Sequence, residues 1–282
     1  MTTDDLTCYG CAQGLRQASR RARLVFGLVL FVLAAWAALG AQTPGPAPTA
    51  AATESSVESR FQLDVHVPDA ALAALLPTGW TPNVAQQGAA KDANLRVLFI
   101  ERSAIYGPNG RPLGTGSNRQ VTLVAPVKDP SGASVQMVIG GLTADATDAP
   151  GPFGVYVPAT TATMKRAVTA TAGAVTETQD WIFAAATGEH LEMHITFDRG
   201  VGNRGNPSEV RFYSAKDPAM FQVSRQEQAL EILRNVTTTP ADRVKAFSFT
   251  GGGGSFGKLF DGSERMLSWD NILWMNRSIL AK

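Results

Sequence analysis

FQLDVHVPDAALAALLPTGW, residues 61–80, sets two periodicities side by side. Its first seven residues alternate. Phe61, Leu63, Val65 and Val67 share one face and Gln62, Asp64 and His66 the other, the period of two that marks a half-buried strand. The next ten residues change step. Leu72, Leu75 and Leu76 fall along one side of a short helix, which Asp69 is placed to cap and Pro77 to stop.

The rest of the chain repeats the strand pattern far more often than the helical one. Residues 95–101, 120–127, 134–142, 153–158, 176–186, 190–197, 209–215 and 244–250 read as strands. KDPSGA, between the second and third of these, and Thr187-Gly188-Glu189 are hairpin turns. One longer helix is expected over 224–236, SRQEQALEILRNV. There Ser224 and Glu227 form a capping box, and Leu230, Leu233 and Val236 share a face. Residues 266–275, MLSWDNILWM, fit neither pattern alone. Many short strands, antiparallel hairpins and few helices predict a mostly β (α+β) domain, closed or nearly closed on itself.

That domain is expected over residues 59–282, enough chain for one sizeable core. Before it comes a basic leader, residues 1–23, with Arg16, Arg20, Arg21 and Arg23, and then the uncharged apolar run 24–41. Together they read as a secretory signal cut before Ala41, or as an uncleaved signal anchor. Either way the bulk of the chain is expected in the periplasm or outside the cell. Residues 42–58, rich in Pro, Ala, Thr and Ser, read as a disordered tether. Both cysteines, Cys8 and Cys11, precede the apolar run, so the exported part folds without disulfides. The 282-residue chain has a net charge of +1 and 17% charged residues, which excludes the basic footprint of a nucleic-acid binder.

Residues 250–259, TGGGGSFGKL, match most of a phosphate-binding loop. However, Leu259 follows Lys258 where Ser or Thr would hold magnesium, and no helix start follows. The glycines instead predict a sharply bent connection between two strands, where positive φ is needed. HLEMH, residues 190–194, is not a zincin helix motif. On a strand His190, Glu192 and His194 form one polar row, and two histidines about 13 Å apart do not share a metal. No metal site is expected. No serine sits in G-x-S-x-G, and nothing in the spacing marks a Ser/His/Asp set. Lysine chemistry is the other covalent option, and only Lys165, beside Arg166, has a cation next to it.

A strand, then the helix with Leu75-Leu76-Pro77-Thr78-Gly79, then GPFGVYVPATTA at 151–162, resembles the acetoacetate decarboxylase-like superfamily. The resemblance is strongest over 63–82 and extends in organisation over about 60–275. It implies a single antiparallel, cone-like β-barrel around an apolar pocket. It also implies, for that family's decarboxylases, a Schiff-base lysine beside a second lysine after a proline. This sequence has no Pro-Lys-Lys, and Pro158 and Lys165 lie seven residues apart.

The leading expectation is therefore a barrel that binds a small, largely apolar organic ligand. Trp80, Tyr106, Arg119, Phe153, Tyr156, Trp181, His190, Glu192 and His194 are the candidate wall. One alternative is a lyase acting on a small keto acid through Lys165, with Arg166 or Arg119 holding the carboxylate. The other is a membrane-tethered structural protein with a filled interior. No cofactor is expected, no nucleic acid, and membrane contact only through the N-terminal segment.

Overall fold

The structure, a computed structural model, describes residues 50–237 and 242–281. The leader, the apolar run 24–41, both cysteines and the first part of the tether lie outside the described residues.

Thirteen strands make up almost all of it. They are β1 (Ala52–His66), β2 (Thr81–Pro82), β3 (Leu95–Tyr106), β4 (Asn118–Lys128), β5 (Ser134–Thr143), β6 (Tyr156–Thr171) and β7 (Ala174–Ala185). Then come β8 (His190–Asp198), β9 (Asn203–Arg204), β10 (Ser208–Ser214), β11 (Phe221–Asn235), β12 (Val244–Gly252) and β13 (Arg265–Leu280). A five-residue helix, α1 (Asp69–Ala73), follows β1; it is shorter than expected, carrying Leu72 and leaving Leu75 and Leu76 in the turns after it.

Seven strands, in the order β5-β10-β11-β13-β1-β3-β4, close into a barrel because β4 pairs back onto β5. The expected antiparallel order holds all round except at one seam, where β10 runs parallel to β5. The expectation of a single sheet wrapped into a barrel is also too simple. β5 pairs in parallel with the start of β6 over Gly141–Thr143, and from there β6-β7-β8-β12 continue as a four-stranded antiparallel sheet outside the barrel.

The alternation in β1 decides which side is which. Phe61, Leu63 and Val65 are fully buried on the outer face of the barrel, under the four-stranded sheet. The sheet answers with Trp181, Phe183, Leu191, Met193, Ile195 and Phe197. Rings meet across this layer at 6.2 Å for Phe61–Phe197 and 5.8 Å for Phe99–Trp181. The main apolar core is thus a sheet-on-barrel layer. Burying an aromatic of that size stabilises by about 1.5–3 kcal/mol each. The opposite face of β1, with Glu58, Arg60, Gln62 and Asp64, points into the barrel.

Four local readings are corrected. Residues 52–58 are not tether but the first half of β1, paired on both sides to β13 and β3. Their Ala/Thr/Ser composition carries little periodicity, but two flanking strands satisfy the backbone. Residues 224–236 are not helix: β11 pairs with β10 on one edge and β13 on the other. Register shifts at Ala229/Leu230 and Ile232/Arg234 break its alternation, and the result mimics a helical spacing. The capping-box residues have other work. Glu227 binds Arg204 and the Ser224 hydroxyl accepts from Gln226. Asp69 does not cap α1, which starts from Pro68; its carboxylate accepts from Asn94 at 2.9 Å. Finally, the strand expected at 153–158 begins only at Tyr156 and runs on to Thr171.

Candidate binding site inside the barrel

Closing a sheet into a barrel turns one face of every strand inward, whatever its polarity. Here the inward face of β1 reads Ser56, Glu58, Arg60, Gln62, Asp64. It is paired residue by residue with β13 and β3. Arg102 stands opposite Glu58, and Arg277 opposite Ser56.

Glu58, 2% exposed, is the hub. It accepts from Ser56 at 2.6 Å, from Arg60 Nε at 2.7 Å and from Arg277 Nε at 2.8 Å, with Arg102 Nε at 3.5 Å. Glu54, nearer the rim, takes Arg102 and also Arg277 Nη2, the latter at 3.2 Å. Burial pushes the Glu58 carboxyl up, but Arg277, Arg60 and Arg102 together outweigh it and hold it far below the usual carboxylate range. Charges this deep persist only when paired.

Beside this network lies a cavity of about 40 Å³ with two unlike ends. Its polar end is made by Arg60, Arg277, Gln222 and Gln226, with the Thr122–Tyr156 hydroxyl pair at 3.0 Å. The apolar end is Leu98, Ile100, Val124, Val138, Phe153 and Phe212. Tyr156 enters from the first residue of β6. Its ring crosses β5 where a side chain at Gly141 would stand, so Gly141 is what admits it. Burial raises the Tyr156 hydroxyl above its ordinary pKa, so it stays a neutral donor.

At another position on the inward face of β1, two further carboxylates meet. Gln62 Nε2 donates to Asp64 at 3.0 Å and to Asp270 at 3.3 Å. Ser268 binds Asp270 at 2.7 Å, and Arg96 binds Asp64 at 3.0 Å. Burial and the charge of Asp64 push the Asp270 carboxyl up to about 7.

Of the residues singled out in the sequence, the cavity brings together only Phe153 and Tyr156. Trp181 is buried in the sheet-on-barrel layer, its indole N–H held by Gln179 at 2.9 Å. Trp80 packs on Tyr213 at 5.2 Å, and Tyr106 is 41% exposed on the rim. Arg119 pairs with Glu101 at 2.6 Å on the outside. His190, Glu192 and His194, expected on the wall, lie instead on the face of β8 turned away from the core. His66 binds the Asp92 carbonyl at 2.7 Å, remote from that row. Among the described residues no group of three or more His, Cys, Asp or Glu is placed to hold a metal.

Lys165 is exposed on the outer face of β6, and Arg166 pairs with Glu177 at 2.5 Å. Every described lysine is exposed, so the barrel interior has none. The residues missed in the sequence are Glu58, Arg60, Arg102, Arg277 and Thr122. The signal that finds the first two is the β1 alternation, carried two steps further back than residue 61.

The glycine loop has a clear role. It joins β12 to β13 with φ of +68° at Gly253 and +47° at Gly254. It folds so closely on the β7–β8 turn that a side chain at either position would collide with Gly188 or Glu189. Ser255 donates to the Glu189 carboxylate through its N–H at 3.1 Å and its hydroxyl at 3.2 Å, and Thr187 caps the other oxygen. The anion this loop cradles is its own chain's. Burial pushes Glu189 up, and these hydrogen bonds more than offset it, so the carboxyl lies below its usual range. Glu189→Ala is expected to lose about 1–3 kcal/mol, the cost of an unsatisfied buried donor. Formate should restore more of the thermal midpoint in the variant than it adds to the wild type. Equal shifts in both would show that the carboxylate does not hold the loop.

No family model and no curated protein matches the chain. Among solved structures it is similar to the enduracididine biosynthesis enzyme MppR, complexed with the condensation product of pyruvate and imidazole 4-carboxaldehyde. Identity there is 12% and the TM-score 0.48, over 80% of this chain and 86% of that one. It is also similar to acetoacetate decarboxylase from Legionella pneumophila, at 11% identity and TM-score 0.47, over 86% and 91%. A third is an acetoacetate decarboxylase-like enzyme from Sphingomonas wittichii RW1, at 11% and 0.47, over 87% and 98%. At such scores the likenesses say nothing of what this chain binds. The family that the Leu75–Gly79 element resembles is thus among those whose structures the chain is similar to.

Proposed function

We propose that segment 24–41 carries the chain out of the cytosol and that the barrel interior there binds a short-chain carboxylic acid as its anion. One observation carries the binding reading: a single small cavity has guanidinium groups at one end and aliphatic and aromatic side chains at the other. The glutamates engage Nε and Nη2 of both Arg60 and Arg277, which leaves the Nη1 groups for an incoming carboxylate. The Thr122–Tyr156 pair adds a neutral donor. A cavity of this volume holds about three water-sized groups. That fits a chain of two to four carbons and refuses longer ones. Lysine-based decarboxylation is not favoured, because the interior lacks an amine.

Propionate or butyrate in a carboxylate-free buffer should raise the thermal midpoint, while 1-propanol and octanoate should not. At a hundred times the dissociation constant the expected stabilisation is about 2.7 kcal/mol. Val138→Leu, which adds a methylene to the cavity wall without touching a charge, should abolish the shift. No shift in the wild type, or a shift that survives Val138→Leu, overturns the reading.

A further inference from the structure

The outer face of the four-stranded sheet, away from the barrel, is lined up by register into rows that cross the strands. One row runs Lys165 on β6, Asp180 on β7, His194 on β8 and Ser248 on β12. The next runs Thr163, Ile182, Glu192, Thr250. Both rows border one groove of about 280 Å³, which shares no residue with the barrel cavity.

Within the first row, His194 Nδ1 meets Asp180 Oδ1. That contact keeps the proton on Nδ1 and presents Nε2 as an acceptor. Ser248 stands directly opposite His194 on the other flank of β8, so aspartate and serine bracket the imidazole. Cross-strand neighbours of this kind have Cβ atoms about 4.5–5.5 Å apart, within side-chain reach. The exposed Ser248 hydroxyl bonds neither to His194 nor to any other described residue, and a serine–base contact of this kind tightens only once substrate is bound. His194 and Asp180 have side chains 45% and 39% exposed, and Ser248 is exposed too, so no core packing accounts for this order. The three residues come from three strands, which is why no spacing in the sequence announces them.

We propose that this groove is an acyl-transfer site that hydrolyses small carboxylic esters. Ser248 is the nucleophile, His194 the general base and Asp180 the positioning residue. Ser248 Oγ bonds to the ester carbonyl carbon while its proton passes to His194 Nε2. The tetrahedral centre collapses, the bond to the alkoxy oxygen breaks, and Nε2 gives the proton to the departing alcohol. Water then adds to the acyl-serine carbonyl, losing its proton to the same Nε2. The acid leaves and the proton returns to Ser248 Oγ. The Thr250 hydroxyl, two residues along β12 on the same face, is the side-chain donor nearest in sequence for the carbonyl oxygen.

A fluorophosphonate, which forms a stable adduct only with an activated serine, tests this on the folded protein. Peptide mass spectrometry should place one adduct on Ser248. Ser248→Ala should remove it. His194→Gln should slow labelling at least a hundredfold. Asp180→Asn should slow it about tenfold and Asp180→Glu should restore most of the rate, a rescue that loss of structure alone would not produce. All three side chains are exposed, so circular dichroism should show the variants folded. No adduct at Ser248, or labelling at the same rate in His194→Gln, overturns the proposal. Neither outcome bears on the barrel cavity, whose ligands are read by thermal midpoint.

Discussion

Glu58→Gln is expected to cost the folded protein about 3–5 kcal/mol at neutral pH, the toll of breaking a buried ion pair by removing one partner. The glutamate is the shared partner of Arg60, Arg277 and Arg102, and the buried Arg60 and Arg102 and the 15% exposed Arg277 are left around it when it is neutralised. Glu54 cannot take over, because it already serves Arg102 and Arg277 from nearer the rim. Glu54→Gln should therefore cost clearly less, its side chain being 25% exposed.

The pH dependence follows from the direction of the Glu58 shift. Its carboxyl is depressed when folded, so its stabilisation is complete above the unfolded value of about 4.5. It is lost as pH falls from there towards the folded value. The gap between wild type and Glu58→Gln in urea unfolding should thus be constant above about pH 5.5 and narrow below about 4.5. A gap under about 1 kcal/mol at pH 7, the size of an exposed pair, would mean that the three arginines do not converge on this residue.

The same residue shows what could be read from sequence and what could not. FQLDVHV reveals a strand with a charged face and an apolar face, and both exist. The apolar face was the natural candidate for the inside of a barrel. Instead it is the outside, covered by a second sheet, and the charged face lines the interior. Periodicity assigns residues to faces and is silent on which face a closed sheet turns inward. Because of that, Glu58 and Arg60 looked like tether and domain edge rather than the centre of a site.

Arg102 and Arg277 reach the site only through pairing with β1, across more than forty and more than two hundred residues of chain. Phe153 and Tyr156 were legible because they lie in GPFGVYVPATTA, one of the stretches that carry the family resemblance. Residues 224–236 were misread for a related reason. Strand irregularities set by partners on both edges produced a leucine spacing that, in isolation, belongs to a helix. The glycine loop was legible as a bend, but the carboxylate that it cradles, some sixty residues earlier, was not.

Asp270→Asn should stabilise the protein at alkaline pH by about 4 kcal/mol and change little below about pH 3, the opposite trend to Glu58. Burial, with the charge of Asp64 beside it, raises the Asp270 carboxyl from 3.8 to about 7 when folded. The Ser268 hydroxyl and Arg96 oppose that rise without cancelling it. Well below pH 3.8 the group is neutral in both folded and unfolded chains and contributes no pH dependence. Between the two values the folded chain holds a proton that the unfolded chain has released, so stability falls as pH rises. Above about 7 the full cost of the buried charge is in place.

Asparagine removes that charge and keeps the shape. Its carbonyl oxygen can still accept from Ser268, and its amide can donate to Asp64, which Gln62 and Arg96 already face. Urea unfolding at pH 5 and pH 8.5 separates the outcomes. The variant should gain on the wild type mainly at the higher pH. An equal difference at both values would mean that Asp270 is ionised throughout, and that the two carboxylates do not share this corner of the barrel.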